Sequence, residues 1–140
     1  MQTNPVADSS ELSELKLYKN SKVLDYFVHK NSELALDSAE QLFEDLLAWM
    51  WLSVQRKKES KKTMLFGPLL PLDELWHAFI LHTRDYVDFC IHYFGEYFHH
   101  DLEPIGFEHL IEENELADYL EDCFKYLGSS WVERRFSIAF

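Results

Sequence analysis

The sequence is short of glycine and cysteine. Its 140 residues include four glycines, four prolines and two cysteines. There is no G-x-G-x-x-G, no P-loop and no G-x-S-x-G, so nucleotide binding and the common serine hydrolase chemistry are not expected. Cys90 and Cys123 form no C-x-x-C pair and give no disulfide framework, which suits a reducing compartment. Basic residues are scarce: 13 Lys and Arg stand against 25 Asp and Glu, a net charge of -12. Such a chain repels phosphate backbones and anionic lipid, so neither nucleic acid nor a membrane surface is an expected partner. The longest apolar run of the first half, residues 46–52, falls well below the ~20 residues that cross a bilayer. Residues 1–11 hold no apolar h-region and no basic start, which predicts no secretory signal and a cytoplasmic location; export by a signal-independent route leaves no mark in a sequence. Long period-two alternation is absent too, so strands are not expected.

Apolar and aromatic residues are abundant, at 47% and 16%. That is ample for one folded domain with one core. Residues 1–9, polar and with Pro5, read as a flexible tail, and 10–140 as a single helical domain. Asp8 and Glu11 have capping-box spacing for a short helix ending near Asn20, and Ser21 suits the cap of a second, 22–30. Asp37-Ser38-Ala39-Glu40 is a capping box that opens the clearest helix. Ala39, Leu42, Phe43, Leu46, Leu47, Met50 and Val54 recur at three- and four-residue spacing, and Trp49 and Trp51 widen the stripe. Arg56, Lys57 and Lys58 suit the negative end of that helix. Pro71 begins another helical stretch, 72–98, with a bend possible at Thr83-Arg84-Asp85. On one continuous wheel, Trp76, Phe79, Ile80, Thr83, Tyr86, Val87, Cys90, Phe94 and Tyr97 share a broad inward face. Residues 114–127 predict a further helix stopped by Gly128, and Ser130-Trp131-Val132-Glu133 caps a last one running toward Phe140. The fold class expected is all-α, an irregular bundle of about five to seven helices with the 72–98 stretch at its centre.

Five of the seven histidines, His77, His82, His92, His99 and His100, fall within 75–101. Neutral imidazole is the commonest metal ligand, so zinc or iron is the sharp hypothesis. Glu74 with His77, and Glu96 with His99, make E-x-x-H pairs of the kind that di-iron bundles place on one helical face, where Glu40 or Glu44 would add a carboxylate. The ordinary alternative is that such pairs arise by composition alone. His77 and His82 lie about 140° apart on a helix and do not share a metal readily. His77 falls at the edge of the apolar face near Asp73. The candidate ligands are His77, His99, His100, Asp73 and Cys90. As a nucleophile Cys90 is unpromising, because it sits mid-face and should be a buried, inert thiol.

Two charged stretches are candidate contact surfaces. Five of the 13 basic residues, Arg56, Lys57, Lys58, Lys61 and Lys62, lie within 56–62. The span 101–122 holds nine acidic residues and no Lys or Arg, among them Glu112, Glu113, Glu115 and Asp118. Each reads most simply as a solvated surface, and each would also serve to dock a protein of opposite charge.

Asp73-Glu74-Leu75-Trp76-His77-Ala78-Phe79-Ile80, followed by Thr83, Tyr86, Phe89-Cys90, Phe94-Gly95 and His99-His100, resembles the glycine-rich-domain-containing-protein-like family, its small bacterial members above all. The resemblance covers about a fifth of the chain and lacks the glycine-rich part. It implies a helical fold and no established reaction, with Asp73, Trp76, His77, Tyr86 and Cys90 as the shared positions.

From the residues, the expected function is a non-enzymatic interaction module: an acidic adaptor or inhibitor, without a cofactor, that regulates another protein through that protein's basic surface. The competing expectation is a metal-binding protein using His77 with His99 and His100. A homodimer with a structural role is the third.

Overall fold

A computed structural model of the chain describes residues 9–101 and 112–136. The expected tail lies almost wholly outside these residues, as do positions 102–111 of the acidic span and the last turn toward Phe140. The described residues contain seven α-helices: α1 (Ser9–Leu15), α2 (Ser21–Lys30), α3 (Leu36–Lys58), α4 (Leu70–Leu81), α5 (Thr83–Phe94), α6 (Glu113–Asp122) and α7 (Ser129–Phe136). A 3-10 turn, Gly67–Leu69, leads into α4, and a π turn, Cys123–Leu127, joins α6 to α7. The described residues include no strand, and the all-α expectation holds.

The centre of the fold is α3. Its 23 residues are buried on almost every side. Ala39, Leu42, Phe43, Leu46, Leu47 and Met50 form the expected stripe, Trp49, Trp51 and Leu52 extend it, and Val54 lies only partly inside. A helix apolar nearly all round must be wrapped by others, and α1, α2, α4 and the π turn all pack on it. This corrects the expectation that 72–98 is the central stretch. That stretch is two helices, broken at His82, which leaves the helical region at φ -86° and ψ 67°. Trp76, Phe79, Tyr86, Phe89 and Cys90 are inward, whereas Thr83, Val87 and Tyr97, inward on a continuous wheel, are exposed.

Local capping explains the remaining boundaries. Asn20, not Ser21, caps α2, accepting from Val23 N at 3.2 Å. The first helix ends at Leu15, short of Asn20. Ala35 precedes α3 with no side-chain cap, so the Asp37 to Glu40 box is already inside the helix, and Asp37 serves its first turn. Glu112 precedes α6, its N–H donating to Glu115 at 3.4 Å. Gly95 ends α5 in the left-handed region, φ 77°, where a side chain is disfavoured. The chain then runs extended along α4.

Candidate functional site

Residues 97–100 follow Gly95 without helical structure, and their side chains make contacts in pairs two residues apart. Phe98 and His100 face α4. Their rings lie 5.4 and 4.1 Å from that of Trp76. Tyr97 and His99 pack on each other at 4.7 Å, and the Tyr97 ring also meets that of Tyr86 edge to face at 5.4 Å. These contacts place His100, and not His99, beside α4.

On α4, Asp73 and His77 are one turn apart and share a face. Asp73 lies in the first turn, where the helix dipole favours a carboxylate. His100 reaches both. Its Nε2 is 2.6 Å from Asp73 Oδ1 and 3.0 Å from His77 Nε2, and His77 Nε2 is 3.5 Å from Asp73 Oδ2. The cluster is graded from inside to outside, with side-chain exposures of 15% for His100, 24% for Asp73 and 54% for His77. Glu74, the E-x-x-H partner expected for His77, is exposed and outside the cluster; the carboxylate is Asp73, four residues back.

Hydrogen bonding alone serves this arrangement poorly. A ring nitrogen carries at most one hydrogen. If His100 Nε2 directs its hydrogen at Asp73, it has none to direct at His77, 3.0 Å away. A divalent cation satisfies all three lone pairs together. Zinc bonds of about 2.0–2.1 Å in a tetrahedron put ligand atoms roughly 3.3 Å apart, and the three distances here straddle that spacing. Two imidazoles and a carboxylate suit zinc or ferrous iron rather than magnesium or calcium. The donor set therefore fits the metals expected from the sequence.

Two candidate ligands stand outside the cluster. His99 is exposed on the far side of its segment. Cys90 is fully buried, and burial pushes its thiol above the ordinary range while the Tyr86 hydroxyl and Phe98 backbone contact it. A thiol so placed is inert rather than a ligand. Cys123 is likewise buried and pushed up to about 12 by desolvation. His82 is taken by α4 itself, its Nδ1 lying 2.8 Å from Ala78 O.

Behind the cluster runs a buried relay. Trp76 Nε1–H donates to the Tyr86 hydroxyl at 3.0 Å, and Tyr86 donates in turn to the Phe98 carbonyl at 2.5 Å. The core contains a second relay of the same composition. Trp49 Nε1–H donates to the Tyr119 hydroxyl at 2.9 Å, and Tyr119 donates to the Met64 carbonyl at 2.8 Å. The two indoles pack edge to face at 5.2 Å.

The charged stretches turn toward each other. Arg56, expected on the surface, is 3% exposed. Its guanidinium pairs with the buried Asp122 and with Asp118, donates twice to the Lys62 carbonyl, and lies 5.2 Å from the Tyr119 ring. Lys61 bridges to Asp118 at 3.2 Å. Lys61 holds the Asp118 carboxyl below its ordinary range, with Arg56 adding to the effect. Arg56 and Lys61 are thus balanced by Asp118 and Asp122, beside a cleft of about 330 Å³ that Arg56, Lys61, Lys62, Glu115 and Asp118 line. Lys57, Lys58, Glu112 and Glu113 remain exposed.

These observations define a small helical domain carrying a two-histidine, one-carboxylate cluster at the start of one helix. The chain belongs to the UCP032817-like family, whose model matches residues 12–126. That match overturns the resemblance to the glycine-rich-domain-containing-protein-like family: the family is defined over most of the helical domain, not by the Trp-His core alone. No curated protein and no solved structure matches the chain. Among the described residues, no helix is long and apolar enough to cross a membrane.

Proposed function

We propose that this protein binds one divalent transition metal ion, zinc or ferrous iron, through Asp73, His77 and His100. One observation carries the reading: three lone-pair donors, the farthest 27 residues apart in sequence, lie within 3.5 Å of one another. The alternative of an interaction module docking through the charged stretches draws less support. Arg56 and Lys61 are already paired with Asp118 and Asp122 of the same chain.

The test is metal content and zinc titration of the full chain without a histidine tag. A 1:1 zinc or iron complex is expected. At free zinc about 100-fold above the dissociation constant, binding should stabilise the fold by about 2.7 kcal/mol. His100→Ala and His77→Ala should each abolish stoichiometric binding, and His99→Ala should leave it intact. If the wild type takes up no metal and its melting temperature ignores zinc and ferrous iron, the reading fails.

A further inference from the structure

The geometry points to Tyr86, held by Trp76, as the residue that positions the metal ligand His100. This inference rests on the metal reading above and deepens it.

His100 comes from a stretch with no helical hydrogen bonds to fix it. In an extended segment, a slip of one residue carries every side chain to the opposite side. Here such a slip replaces Phe98 and His100 by Tyr97 and His99, so something must hold the register. The Phe98 backbone is gripped by core side chains: its carbonyl accepts from the Tyr86 hydroxyl, and the buried Cys90 thiol lies against it as well. Tyr86 is fully buried on α5, and its hydroxyl is aimed by the Trp76 N–H on α4. Trp76 also supplies the shelf under the His100 ring, 4.1 Å away and tilted by 35°. The indole therefore does two things at once. Its face orients the imidazole, and its edge orients the hydroxyl that pins the imidazole's segment. Neither Tyr86 nor Trp76 offers an atom to the metal. Both act through His100.

The second relay supplies the control. Tyr119→Phe deletes the same hydroxyl from an equally buried tyrosine with the same kinds of partner, but its carbonyl belongs to Met64, outside the cluster. Zinc affinity would be measured by competition with a chromophoric chelator, and coordination by the visible absorption of the cobalt(II) form. Tyr86→Phe should weaken zinc binding by roughly 10- to 100-fold, the usual effect of removing an outer partner of a metal ligand, and should alter the cobalt bands. Tyr119→Phe should change neither. If Tyr86→Phe binds zinc like the wild type, or if both variants weaken it equally, Tyr86 is merely structural and the inference is overturned. Should Tyr86→Phe fail to fold, Trp76→Phe takes its place, since it keeps an aromatic shelf and removes the N–H; unchanged zinc affinity there overturns the inference as well. A wild type that binds no zinc or cobalt would instead remove the metal reading on which this one stands.

Discussion

The two tryptophan–tyrosine relays are alike in chemistry and differ in what they hold. The Trp49 relay closes on Met64 and stands beside the buried Arg56, so both ends lie in the interior. The Trp76 relay closes on Phe98, two residues from the half-exposed cluster of His77, Asp73 and His100. One relay ties the interior together. The other reaches from the interior to a segment without helical hydrogen bonds. The same three groups thus close on an interior loop in one place and beside the Asp73–His77–His100 cluster in the other.

The comparison can be sharpened by breaking each side in turn. The largest loss is expected on the interior side. Arg56→Leu leaves the Asp122 carboxylate buried without its guanidinium, and breaking such a pair costs about 3–5 kcal/mol; urea unfolding should show it, and zinc affinity should not change. A cost near zero would mean that Asp122 finds water or another partner. Next come the relay hydroxyls. Tyr119→Phe and Tyr86→Phe each leave a buried indole N–H and a carbonyl without their partner, at about 1–3 kcal/mol each. Similar losses of stability beside different losses of zinc affinity would separate the two roles. The smallest effect belongs to Lys61→Met. Its partner Asp118 is 44% exposed, so water screens the pair and it contributes no more than about 1 kcal/mol. The sign follows from the lowered Asp118 carboxyl. This stabilisation is present above the unfolded carboxyl pKa of about 3.9 and is lost as pH falls through the lower folded value. Lys61→Met should therefore lower stability slightly at neutral pH and make acid unfolding marginally less steep, with no effect in strong acid.

Much of the fold was legible because α3 obeys one rule along its whole length. Its apolar positions repeat with the helical period, and six of them, Ala39 to Met50, are buried as that period requires. The same rule misleads beyond His82. There the wheel's inward face was drawn too broad: Val87 lies one residue, about 100°, round the helix from the buried Tyr86 and is exposed in the fold. At the site, Asp73 and His77 were legible as neighbours on one helical face. The choice of His100 over His99 was not, because it follows from period-two alternation after Gly95, and four residues are too few for that period to stand out. A signal was present all the same. Phe98 is the apolar residue of the segment best suited to face the core, and His100 shares its parity. Arg56 deceives for another reason. In sequence it is one of five neighbouring cations, and only the arrival of α6 turns it from a surface charge into a buried one.

The adjacent histidines have a consequence for how the chain tolerates changes of length. Tyr97-x-His99 and Phe98-x-His100 repeat the same aromatic-x-histidine pattern one residue apart. An insertion of one residue in the turn after Gly95 would deliver Tyr97 to the place of Phe98 and His99 to the place of His100. The ring against Trp76 and the imidazole against Asp73 would both be restored by their neighbours. The segment therefore carries a second aromatic–imidazole pair in the next register, so the side chains alone do not choose between the two registers and the backbone contact from Tyr86 to Phe98 must.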